Sequence, residues 1–87
     1  MADTSTTNSW KLLYEAGRQA LQDRKLQEAE QSFSAALQLA EDFAPGDPRL
    51  VATLNALARI YSLQRRYLAA AALLNRLLEV TERTLGP

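Results

Sequence analysis

The chain has 87 residues, 47% of them hydrophobic and 23% charged, and its 10 Lys and Arg balance its 10 Asp and Glu to a net charge of zero. That length fits one small domain, able to bury only roughly 60–65% of the surface its unfolded form exposes. A balanced charge leaves no electrostatic footprint for nucleic acid or an anionic membrane surface, and the absence of Cys and His removes disulfides, thiolate nucleophiles, sulfur-ligated zinc and imidazole chemistry.

The opening MADTSTTNS has neither a basic n-region nor an apolar h-region, so it is no secretory signal. Residues 1–9 read as a short flexible leader, with Asn8 or Ser9 suited to accept a bond from a free first-turn amide. From Trp10, apolar or small residues fall at Leu13, Ala16, Gly17, Ala20 and Leu21, gaps of three and four that trace one helical face. Asp23-Arg24-Lys25 interrupts the pattern, which resumes at Leu26, Ala29, Phe33, Ala36, Leu37, Ala40 and Phe43. The stretch APGDP, residues 44–48, is the strongest breaker: Pro45 and Gly46 stop the second helix, Asp47 is a good N-cap, and Pro48 suits a first helical position, where its missing amide costs nothing. A third helix follows with Leu50, Leu54, Leu57, Ala58 and Tyr61 inward, then a break at Gln64-Arg65-Arg66. The fourth carries Tyr67, Ala70, Leu74, Leu77, Leu78, Thr81 and Leu85 on its expected inner face. Nothing alternates with period two, so no strand is expected. The longest apolar run, YLAAAALL at 67–74, falls well short of the ~20 residues that span a bilayer. A cytoplasmic location is the default expectation.

Sliding the chain on itself by 41 residues aligns Leu13 with Leu54, Gly17 with Ala58, Leu26 with Tyr67, Ala29 with Ala70, Phe33 with Leu74 and Leu37 with Leu78. Small residues meet small and large meet large, and Arg18 meets Arg59. The chain is therefore two copies of a helix-turn-helix unit. Gly at a mid-helix position costs up to about 1 kcal/mol relative to Ala, so Gly17 implies close helix approach; small residues allow axes about 8 Å apart rather than about 10 Å.

These residues resemble the tetratricopeptide repeat family, in its long-period variant seen in kinesin light chains. The resemblance rests on the small-residue pairs Gly17 with Ala29 and Ala58 with Ala70, and on the stretch GDPRLVATLNALARIYSLQRRYLAAAALLNRLLEV at residues 46–80. The His common before the linker Pro is absent, and the usual paired Asn is reduced to Asn55 followed by Ala56. The resemblance implies an all-α fold, four antiparallel helices forming two repeats (about 10–45 and about 47–86, in a domain over 10–87) of a short right-handed α-solenoid. It further implies a non-catalytic protein-interaction module whose concave groove is lined by the first helix of each repeat. The matching positions are Lys11, Tyr14, Arg18, Gln22, Asn55, Arg59, Ser62 and Leu63. Arg18 and Arg59, at equivalent sites, suit an extended peptide carrying carboxylates, and the Asn55 amide suits its backbone. The chaperone-binding members grip a terminal carboxylate at positions that align with Tyr14, Arg18 and Ala56, none of which matches, so that specificity is not expected.

Two features point to the far edge of the repeat. The closing Thr84-Leu85-Gly86-Pro87 reads like the opening of a further linker, which implies either an excised piece of a longer repeat scaffold or a last helix covered elsewhere. The second to fourth helix comparison turns Glu28 into Ala69, Glu30 into Ala71, Gln31 into Ala72, Ser32 into Leu73 and Ala36 into Leu77. A wider apolar arc than one neighbour can cover is the result, and Leu73, Leu77, Val80 and Leu85 are the expected residues of homo-oligomerisation through the fourth helix. No enzyme, cofactor or metal is expected: the carboxylates are scattered, the three Gly are isolated, and Glu41-Asp42 with Asp47 is a helix end and not a cage.

Overall fold

The computed structural model describes residues 4–85, with side chains over 4–82. Four helices follow one another: α1 (Thr4–Gln22), α2 (Leu26–Ala40), α3 (Pro48–Leu63) and α4 (Tyr67–Leu85). Consecutive helices pack together, α1 on α2, α2 on α3 and α3 on α4. The all-α helical-repeat expectation is met, and no strand occurs among the described residues.

The two hairpins are copies down to their turns. α1 and α3 end at Gln22 and Leu63, α2 and α4 start at Leu26 and Tyr67, and both offsets are 41 residues. Each turn places a non-glycine residue in left-handed backbone, Arg24 at φ 62° and Arg65 at φ 63°. The amides of Arg24 and Lys25 donate to the carbonyls of Leu21 and Ala20, and those of Arg65 and Arg66 donate to Ser62 and Tyr61. Both are Schellman closures, which satisfy helix carbonyls that would otherwise lack partners. Left-handed backbone crowds a Cβ by roughly 1–2 kcal/mol, partly offset by the ~0.4–1 kcal/mol that Gly loses in unfolded-chain entropy. Arg65→Gly is therefore expected to stabilise the fold by about 0.5–1 kcal/mol, read as a rise in melting temperature; a fall would show that the turn is not strained.

α1 begins earlier than its pattern suggested. Residues 4–9 are helical, so most of the expected leader is the first turn and a half of α1, and Asn8 and Ser9 lie inside the helix rather than capping it; residues 1–3 lie outside the described residues. The reason is tertiary. Thr7 Oγ1 accepts from Arg49 Nη1 at 3.0 Å, and the Trp10 indole Nε1–H donates to Thr53 Oγ1 at 2.8 Å. The start of α1 is thus bound to the first two turns of α3, which compensates for its weak intrinsic propensity. Thr53, buried on α3, donates in turn to the carbonyl of Arg49 at 2.6 Å.

The linker behaves as its residues dictate. Asp47 caps α3, accepting from the Arg49 amide at 2.8 Å, with Pro48 in the first turn. The Arg49 guanidinium also grips the Asp47 carboxylate through Nε at 2.8 Å and Nη2 at 2.6 Å, and lies 3.7 Å above the Phe43 ring centre. Two further ties cross between repeats: Glu30 accepts from Gln64 and Arg66, and Glu41 pairs with Arg76.

The Asp47 and Glu30 carboxyls are both held below their ordinary ranges, Asp47 chiefly by the Arg49 side chain and Glu30 by Arg66 and then Gln64, against the opposing effect of burial. A carboxyl that titrates lower when folded contributes stability above its unfolded value, near pH 4, and loses it as pH falls through the folded value. The melting temperature is accordingly expected to decline from pH 5 toward pH 3, and Asp47→Asn, which keeps an N-cap, is expected to flatten part of that decline. An unchanged acid limb in the variant would remove Asp47 from the account.

The core forms two adjoining clusters. Ala20, Ala29, Phe33, Leu57 and Ile60 make one, and Ala40, Phe43, Leu50 and Leu54 the other. Gly17 is buried, and a Cβ on it would lie 2.8 Å from the Phe33 ring. The group that crowds Gly17 is the ring of Phe33, where the sequence pattern pairs it with Ala29. In the second repeat the equivalent positions hold Ala58 and Leu74, a larger residue facing a smaller one.

α4 sits rotated from its expected register. Leu73, expected only in the self-association set, and Leu77, expected both there and on the inner face, are half-buried and pack on the core clusters, and Val80 is buried. Tyr67, Leu74 and Leu78, taken as inward, are instead 64%, 47% and 57% exposed. Of the expected self-association set, three residues are thus core; the Leu85 side chain lies outside the described residues, as do Gly86 and Pro87. The rotation follows from α4 packing on the seam where α2, α3 and their linker meet, which Leu73 and Leu77 reach and Leu74 and Leu78 do not.

Candidate functional site

Because α1 and α3 are the first helices of their hairpins and both lean on α2, a concave space opens between them. It forms an open groove of about 950 Å³. Tyr14, Arg18 and Gln22 of α1 face Asn55, Arg59 and Leu63 of α3 across it. These six are sequence-derived groove positions that the fold brings together. Lys11 and Ser62 do not join the lining. The Trp10–Thr53 bond draws α1 and α3 together at that end, and Lys11 stands beside this closure. Ser62 lies off the edge of the α3 stripe that runs through Ala52, Asn55, Ala56, Arg59 and Leu63.

The floor is apolar. Leu21 and Leu26 border the first turn, Phe33 rises from α2, and Ala52 and Ala56 complete it from α3. Phe33 is 1% exposed, its ring edge-on to that of Tyr14 with centroids 5.4 Å apart, and Tyr14 stacks on Trp10 at 5.0 Å. This aromatic run holds the α1 wall at a set height over α2. Floor positions escaped the sequence reading because they belong at once to the core stripe and to the groove; a periodic pattern marks them only as core.

The wall is cationic. Arg18, Arg24 and Arg59 line the groove, and none of the lining residues is acidic. Arg24 is a position that sequence reasoning missed. It belongs to the turn, in left-handed backbone, and not to either helical stripe. Among the described residues, Arg24 and Arg59 have no ion-pair partner, while Arg18 meets Glu15 three residues earlier at 3.7 Å, both side chains more than half exposed. An exposed pair of that length contributes little, so Arg18 remains available to a ligand. Outside the groove Arg49 is engaged by Asp47, Arg66 by Glu30 and the Tyr61 ring, and Arg76 by Glu41, while Arg65, Lys11 and Lys25 have no ion-pair partner among the described residues. In a chain of zero net charge the groove thus gathers three arginines, two of them without an ion-pair partner among the described residues.

Among the described residues there is no group of three or more acidic side chains placed to hold a metal, and no helix is long and apolar enough to cross a membrane. No buried side-chain nitrogen or oxygen among them lacks a hydrogen bond.

A pair of matched helical hairpins with a concave face lined by their first helices defines a helical-repeat interaction scaffold. The sequence model described as tetratricopeptide repeat matches residues 11–83, and the chain belongs to that family. Proteins of this family generally mediate protein–protein interaction. No curated protein and no solved structure matches the chain.

Proposed function

We propose that the chain is a non-catalytic module that binds an extended acidic peptide segment of a partner protein in the groove between α1 and α3. The observation that carries this reading is the pairing of three arginines, two of them without an ion-pair partner among the described residues, with an apolar floor and no acidic lining. Guanidinium forks bind carboxylates with directed, often bidentate hydrogen bonds. The partly exposed floor residues Leu21, Leu26, Ala52 and Ala56 supply the apolar area that charge alone does not. Asn55, exposed on the opposite wall, presents an amide able to donate to and accept from a peptide backbone. The same reading agrees with the peptide binding that the long-period resemblance implies.

Arrays of peptides of graded charge, followed by titration of the strongest binders, test it. Acidic peptides are expected to bind, with an affinity that falls as salt rises. Arg18→Glu combined with Arg59→Glu is expected to weaken that binding by at least about tenfold, or about 1.4 kcal/mol, while leaving the melting temperature near wild type, because both side chains are exposed. Selection of neutral or basic peptides, or unchanged affinity in the double variant, would refute the reading.

A further inference from the structure

The outward face of α4 is an apolar feature that the groove does not use. Tyr67, Ala71, Leu74 and Leu78 are all exposed and follow one another at intervals of four, three and four, the spacing of a straight apolar seam on a helix. No charged residue interrupts the seam, and Asn75 and Glu82 border it. The equivalent seam on α2 contains Phe33 and Leu37, and there it packs with Leu57 and Ile60 of α3. The face of α4 is thus the counterpart of one that, in the first hairpin, receives a helix.

The opposite edge of the molecule has a different character. On α3 the residues Leu50, Thr53, Leu57 and Ile60 are buried; their counterparts on α1 are Ser9, Leu12, Ala16 and Gln19, all exposed. Three of those four positions have become polar or smaller than the leucine or isoleucine they match. An edge of that composition suits water. Head-to-tail stacking of copies, α1 on α4, would bury Ser9 and Gln19 against leucines with no polar partner. A two-fold contact brings the uncharged seam against itself and strands no charge.

We propose that a second copy of this chain covers the seam, α4 packing antiparallel on α4 about a two-fold axis so that Leu74 of each copy meets Leu78 of the other. The contact closes on itself, so the product is a dimer. It lies on a different helix from the groove and does not depend on the groove's occupancy. The net charge of zero removes long-range repulsion between copies.

Sedimentation of the full chain over a range of micromolar concentrations, with light scattering for mass, tests the proposal. A monomer–dimer equilibrium is expected. Leu74→Glu and Leu78→Glu are each expected to weaken dimerisation by at least about tenfold. Because both side chains are half exposed in the single molecule, far-ultraviolet helicity and Trp10 emission are expected to persist. Leu12→Glu, on the α1 edge, and Leu68→Glu, 90% exposed on another side of α4, are expected to leave the dimer intact. The chain has no cysteine, so a mixture of Leu74→Cys and Leu78→Cys chains is expected to oxidise mainly to the mixed covalent dimer. A monomer throughout the range overturns the proposal. So does dimer loss in Leu12→Glu, growth past the dimer, or cross-linking mainly between identical chains. Peptide affinity in Leu78→Glu is expected to match wild type, which keeps failure here distinct from failure of the groove reading.

Discussion

Trp10→Ala is expected to lower the melting temperature by roughly 10–30 °C, corresponding to about 2–4 kcal/mol. Trp10 is the chain's sole tryptophan; it ties α1 to α3 and to the linker by two contacts and stacks on Tyr14 within α1. Its indole N–H donates to buried Thr53 at 2.8 Å, its ring stacks on Tyr14 at 5.0 Å, and Phe43 meets it edge-on at 6.3 Å. Truncating a buried Phe or Trp typically costs about 3–5 kcal/mol; Trp10 is half-buried, which sets the lower figure. A domain of this length holds on the order of 4–13 kcal/mol in total, so one residue accounts for a large share. Trp10→Phe separates the contributions. It keeps the stack and removes the donor, at about 1 kcal/mol. Thermal melts followed by circular dichroism measure both variants, and a loss below about 5 °C for Trp10→Ala would show that α1 is held by α2 alone.

Gly17→Ala is expected to destabilise the fold even though Ala is the better helix former by about 1 kcal/mol. The added Cβ would sit 2.8–2.9 Å from three atoms of the Phe33 ring. That ring is 1% exposed and packed edge-on against Tyr14, so it withdraws only by displacing Tyr14 and its other neighbours. Overpacking a filled core costs about 1–3 kcal/mol, which outweighs the propensity gain and leaves a net loss of roughly 1–2 kcal/mol. The second hairpin contains its own remedy, since Ala58 and Leu74 stand where Gly17 and Phe33 do. Gly17→Ala with Phe33→Leu is accordingly expected to be more stable than the sum of the two single changes, by about 0.5–2 kcal/mol in a double-mutant cycle. Additive effects would mean that Gly17 serves the helix crossing generally and not this ring.

Both effects bear on how the two surfaces work. The aromatic run from Trp10 through Tyr14 to Phe33 sets the height of the α1 wall over the groove floor, so loosening it is expected to disturb peptide binding as well as stability. The seam on α4 stands apart from that run, and an occupant there adds to α4 what α3 supplies to α2.

Much of this protein follows from residue order alone. The number of helices, the breaks at Asp23–Lys25, 44–48 and Gln64–Arg66, the Asp47 cap and the offset of 41 residues are all local, because three-and-four spacing and turn residues act over a few positions. Of the eight positions expected to line a groove, six border the cavity between α1 and α3, and Lys11 and Ser62 do not. The rotation of α4 was not legible. Its apolar arc covers about half the helix, so spacing is satisfied equally by Leu74 with Leu78 or by Leu73 with Leu77 turned inward, and only the seam of α2, α3 and their linker selects the second. The start of α1 was decided in the same way, by Arg49 and Thr53 reaching it from residues more than forty positions away. Periodicity reports how side chains are spread around a helix; which part of that spread meets a neighbour is settled by packing, and packing here chose both the groove's walls and the face left to water.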